Sequence, residues 1–129
     1  MFTNLIIEQT PKTPQIDLNK YTGDLIFSGR STPEDAARIF EPVLDWASQY
    51  VLAPRPVTNV RLNLDYFNTT TAIWLTKVIR LLVSTQEPEH LLIYHLYLRV
   101  EDYDTMNDFN DIRDAFITID EILHDYSHY

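Results

Sequence analysis

Apolar and polar positions recur along this chain with two different periods, and the change from one to the other marks out its elements. Residues 59–67 alternate with period two. Val60, Leu62, Leu64 and Tyr66 fall on one face and Arg61, Asn63, Asp65 and Phe67 on the other, which predicts a strand. Ala72, Leu75, Val78, Ile79 and Leu82 then recur at helical spacing and predict an amphipathic helix over 72–84 that leaves Lys77 and Arg80 to solvent. An earlier stripe of Ala36/Ala37, Phe40, Val43/Leu44, Ala47 and Tyr50/Val51 predicts a helix running to about Leu52. Its start reads as Thr32 for the N-cap and Pro33 for the first helical residue, with Glu34 and Asp35 where the helix dipole favours negative charge. Pro42 inside this stripe removes a backbone donor and predicts a kink or a split near Glu41.

The rest of the pattern is shorter in range. Leu5 to Glu8 is a short, mostly apolar segment, and Pro11 and Pro14 then force an extended, turn-like path. Residues 16–18 and 24–28, with Tyr21-Thr22-Gly23 as the turn between them, predict an opening antiparallel pair. Glu87-Pro88-Glu89-His90 reads as a turn, and the run 91–98 is apolar enough for a central strand buried on both faces. Residues 102–114 read as a loop and short helix carrying Met106 and Phe109, and 116–119 as a last strand. Two strand-helix-strand units sharing residues 60–67 need crossover connections. The fold expected is therefore a single α/β domain whose mixed sheet is antiparallel at the start, parallel through the middle and covered by helices.

Composition narrows the class. A chain of 129 residues, 45% hydrophobic and 22% charged, fits one globular domain. There is no cysteine, which removes disulfides, thiolate metal sites and cysteine nucleophiles and agrees with a reducing compartment. The longest apolar run is far short of the ~20 residues that span a bilayer, and no basic-then-apolar leader opens the chain. The protein is expected in the cytoplasm, with no membrane insertion. The net charge of −9 is uneven: nine acidic residues follow position 100 against Arg113 alone, whereas residues 1–100 carry ten acids and nine bases. Such a surface repels phosphate backbones, so no nucleic-acid function is expected, and a basic protein partner or simple solubility accounts for the acidic end.

Candidate chemistry concentrates at one junction. Between the strand and the second helix stand Asn68-Thr69-Thr70-Thr71. A hydroxyl at a helix N-terminus faces unpaired N–H groups and the positive end of the dipole, so a cap and a bound phosphate are both favourable there. Ser28-Gly29-Arg30-Ser31 also lies between a strand and a helix; it reads as a turn relieved by Gly29, with a further role for the Arg30 guanidinium near a phosphate. With two glycines in the chain, no P-loop or dinucleotide fingerprint exists. His124, His128 and Asp125 have the spacing of a metal-binding helix face but stand at the chain end, where fraying is normal. Glu101, Asp102 and Asp104 lack the glycine and terminal glutamate of an EF-hand loop and read as a solvated acidic loop. His95, inside an apolar strand, reads as a core or interface histidine. A small enzyme using His95, Asp65 and a threonine hydroxyl is the alternative of another class; it would need a pocket placing His95 beside Thr69. No metal, cofactor or catalytic residue is expected.

Four segments together resemble the SiaC family of bacterial regulatory phosphoproteins. They are Thr13-Pro14-x-Ile16, Gly29-Arg30-Ser31-Thr32-Pro33-Glu34, Leu64-Asp65-Tyr66-Phe67-Asn68-Thr69-Thr70-Thr71, and the acidic stretch after the last long strand. The resemblance covers about residues 10–119, and the Tyr-x-Asn-Thr junction is its specific part. It implies a fold similar to STAS-domain anti-sigma-factor antagonists, and partner switching as the function. By resemblance, a Ser/Thr protein kinase phosphorylates Thr69 and a PP2C-type phosphatase removes the phosphate. The unphosphorylated form binds and activates a diguanylate cyclase, raising cyclic di-GMP in biofilm and aggregation pathways. Kinase and partner contacts fall by the same resemblance on Arg30, Ser31, Tyr66, Asn68, Thr70 and Thr71. The family's usual Asn-Thr-Ser-Ser is Asn-Thr-Thr-Thr here, which adds Thr70 as a second acceptor candidate, and its Trp-x-Tyr is His95-Leu96-Tyr97. An anti-sigma-factor antagonist with a transcriptional partner would share fold and switch.

Overall fold

A computed structural model describes residues 2–84 and 91–96. The expectations placed on residues 85–90 and 97–129, including His124, His128 and the acidic end, lie outside them. Five strands form one sheet in the order β1-β2-β3-β4-β5: β1 Leu5–Ile7, β2 Gln15–Leu18, β3 Asp24–Ser31, β4 Val57–Phe67 and β5 Leu91–Leu96. The first two pairings are antiparallel and the last two parallel, as the pattern predicted. The two crossovers are helices α1, Ala36–Tyr50, and α2, Thr69–Val83.

Both crossovers step in the same direction along the sheet, and right-handed connections therefore put both helices on one face. There Phe40 of α1 stacks on Trp74 of α2 at 6.4 Å, above a core that includes Ile16, Leu18, Leu25, Phe27, Val60, Leu62 and Leu64. This one-sided cover corrects the reading of β5. It ends the strand order among the described residues, and Leu91 and Ile93 are 54% and 38% exposed. The strand is not buried on both faces.

Helix α1 begins later than its sequence signals. The N-cap is Asp35, whose carboxylate accepts from the Arg38 N–H at 3.3 Å. Thr32 instead donates its N–H to the Lys12 carbonyl at 2.8 Å, and Pro33 is buried. The chain at 32 is thus held to the loop before β2, and helical geometry starts only after the turn is complete. The helix also runs unbroken through Pro42. Pro42 and Arg38 are both exposed, so the carbonyl that loses its donor lies on a flank that water can reach.

The second correction lies in β3 and β4. Ser28-Gly29-Arg30-Ser31 is not a turn but the continuation of β3. Gly29 pairs with Leu64, yet Arg30 pairs with Tyr66, so Asp65 is an extra residue on β4, a β-bulge. Gly29 has φ +90°, a conformation open to glycine and strained for other residues. The bulge reverses the alternation after Leu64. Phe67, not Tyr66, is buried, and Tyr66 only packs partly buried against the core.

Candidate functional site

The site grows from the end of β4. Asn68 has extended backbone angles, φ −91° and ψ 173°, and caps α2 by accepting the Thr71 N–H on its side-chain oxygen at 2.9 Å. Its own N–H donates to the Ser31 carbonyl at 3.1 Å, which ties the cap to the end of β3. Thr69 and Thr70 are then the first two helical residues, both exposed. With Asn68 taking the Thr71 donor, the N–H groups of Thr69 and Thr70 have no acceptor within the helix, and the first turn carries no acidic side chain. The positive end of the dipole therefore meets no acid of its own first turn, beside two accessible hydroxyls. At the junction, where a cap and a bound phosphate were both favourable, Asn68 is the cap.

Thr71 has a different place. It is fully buried, as is Ser31, and the two hydroxyls are 2.8 Å apart. Thr71 Oγ1 also donates to the Ser31 carbonyl at 3.1 Å, so its single proton is spent there and Ser31 Oγ is the donor to Thr71 Oγ1. In this arrangement the pair fastens α2 to β3, with both hydroxyls buried. The residues of the expected contact set that remain accessible are Arg30, Tyr66, Asn68 and Thr70, none of them fully buried. Arg30 and Tyr66 are paired across the strands, the guanidinium carbon 5.0 Å from the ring centroid. The bulge makes this pairing, and strict alternation hid it.

His95 is not at the site. It pairs with Arg61, and its Nε2 lies 3.2 Å from Asn59 Oδ1. Asp65 is four positions further along β4, roughly 13 Å at the usual rise, and Thr69 lies beyond it. The enzyme alternative needed His95 beside Thr69, and the sheet separates them. Among the described residues no cluster of His, Asp or Glu could hold a metal ion, and no helix is long and apolar enough to cross a membrane.

The order of these parts matches a known family. The model for the SiaC family regulatory phosphoprotein covers residues 7–123. The chain belongs to the SiaC family. Membership makes it a regulatory phosphoprotein by family and not an enzyme. Its fold is similar to that of apo-SiaC from Pseudomonas aeruginosa, with a TM-score of 0.70 at 22% identity over 92% of this chain and 91% of that one. It is also similar to the crystal structure of the diguanylate cyclase SiaD in complex with its activator SiaC from the same organism. There the TM-score is 0.64 at 26% identity over 70% of this chain and 74% of that one. No curated protein matches the sequence.

Proposed function

We propose that this chain is a one-domain, cytoplasmic partner switch. Its unphosphorylated form binds and activates a diguanylate cyclase, raising cyclic di-GMP. A Ser/Thr kinase phosphorylates Thr69 and releases the cyclase, and a PP2C-type phosphatase restores the binding form. The observation that carries this reading is an exposed threonine as the first residue of α2, in a chain of a phosphoprotein family. Support for the cyclase comes from the similar SiaC, which is the activator in a complex with SiaD.

The geometry makes the switch inexpensive for this protein and costly for the complex. Phosphorylation adds about −1.5 to −2 charges and three acceptor oxygens at a point where N–H groups without an acceptor in the helix meet the positive end of its dipole. A partner lying on the same surface would have to strip water from the dianion. A loss of only about 3 kcal/mol weakens binding roughly a hundredfold. The test is phosphosite mapping after incubation with the kinase, followed by cyclase binding of Thr69→Ala and Thr69→Glu. The alanine variant is expected to hold the cyclase and the glutamate variant to release it. Equal binding by the two, or a phosphate found on neither Thr69 nor Thr70, refutes the reading.

A further inference from the structure

The geometry points to the exposed stripe of α2 as the docking surface, and to an acidic amphipathic segment of the partner as its occupant; this deepens the switch proposed above and rests on it. The exposed residues of α2 are Thr69, Thr70, Ile73, Lys77 and Arg80. At helical pitch these five fall within an arc of about 100°. The acceptor therefore opens a continuous stripe. One turn on stands Ile73, 53% exposed, and then come Lys77 and Arg80. The buried residues of α2, including Leu75, Val78, Ile79 and Leu82, take the opposite side, so the stripe stays exposed while the other side of the helix packs.

Charge identifies what fits it. Acids outnumber bases 19 to 10 in the chain, yet α2 carries two bases and no acid. Its neighbour α1 mixes exposed Arg38 with exposed Glu41 and Asp45. The Lys77 ammonium also sits 4.4 Å from the Trp74 ring centroid, and this contact restrains it near the stripe. Less side-chain freedom is then lost when it meets a carboxylate. The matching segment carries an apolar residue over Ile73 and carboxylates over Lys77 and Arg80.

The same stripe explains how the switch acts. A phosphate on Thr69 lies about one turn from the Ile73 contact, where the segment's apolar residue would have to pack beside a hydrated dianion at a desolvation cost. Lys77 is roughly 12 Å further along the axis, beyond the ~8 Å screening length at physiological salt. Its attraction for the partner therefore survives phosphorylation, and the switch acts at the first turn.

The test titrates the full chain with its cognate diguanylate cyclase at low and high salt, with thermal melts to check that each variant is folded. Lys77→Glu and Arg80→Glu are each expected to weaken binding about tenfold and to flatten its salt dependence. Ile73→Ser is expected to weaken it comparably at both salts. Arg55→Glu makes the same change of net charge on the exposed loop before β4 and is expected to bind as wild type. If wild type binds and phosphorylation releases it, but the Lys77 and Arg80 variants bind unchanged or Arg55→Glu is weakened equally, the docking surface is wrong and the switch stands. Wild type that fails to bind the cyclase overturns the switch and the docking surface with it.

Discussion

Replacing Thr71 by valine keeps the side chain's shape and removes the hydroxyl that joins α2 to β3. Thr71 Oγ1 donates to the Ser31 carbonyl and accepts from Ser31 Oγ, with both residues fully buried. The substitution loses two neutral hydrogen bonds, and it strands the Ser31 hydroxyl where water cannot reach it. The carbonyl is less affected, since it still accepts the Asn68 N–H. A lost neutral bond is worth about 1 kcal/mol and a stranded buried polar group about 1–3 kcal/mol, so Thr71→Val should cost about 2–3 kcal/mol. Ser31→Ala is milder, at about 1 kcal/mol, because the Thr71 proton keeps its carbonyl acceptor. The double variant leaves no hydroxyl stranded, so its cost should fall below the sum by about 1 kcal/mol or more. Urea denaturation of the four proteins measures this, provided that the m-value is unchanged across the set. Equal costs for the two single variants, together with strict additivity, would refute both the donor assignment and the structural role given to the pair.

Other consequences can be checked on stability alone. Asn68→Ala removes the α2 cap and should cost about 1 kcal/mol in a thermal melt, whereas Asn68→Asp keeps the acceptor and should cost far less. Gly23 has φ +77°, and a Cβ there would lie 2.4 Å from the Val57 carbonyl oxygen. Both obstacles are backbone, so Gly23→Ala should lose more than about 1 kcal/mol in urea denaturation. Phe67→Ala should cost about 3–5 kcal/mol as a core truncation, and Tyr66→Ala clearly less. The reverse order in urea midpoints would mean that β4 carries no bulge.

Much of the fold was legible because its signals act between near neighbours. The alternation in 59–67 and the helical stripes that follow and precede it are set by side-chain direction along one element, and each found its strand or helix. The mixed sheet followed from the elements' order, since parallel neighbours need a helical crossover. A cap at the junction was equally local, for a carboxamide reaches the N–H three residues on without help from the rest of the chain, although the helix opens at Thr69, three residues before its apolar stripe. What the chain could not disclose by itself depended on residues far apart in sequence. Asp65 becomes a bulge only through pairing with β3, where Gly29 takes a positive φ, and that one extra residue decides whether Tyr66 or Phe67 is buried. Thr32 looked like a cap until Lys12 claimed its N–H. β5 looked buried on both faces, yet Leu91 and Ile93 are exposed. Thr71 stood in a row of three equivalent threonines, and a hydroxyl forty residues away removed it from the surface. Local periodicity and capping are properties of a few adjacent residues, but register, burial and the choice among identical side chains belong to the packed sheet.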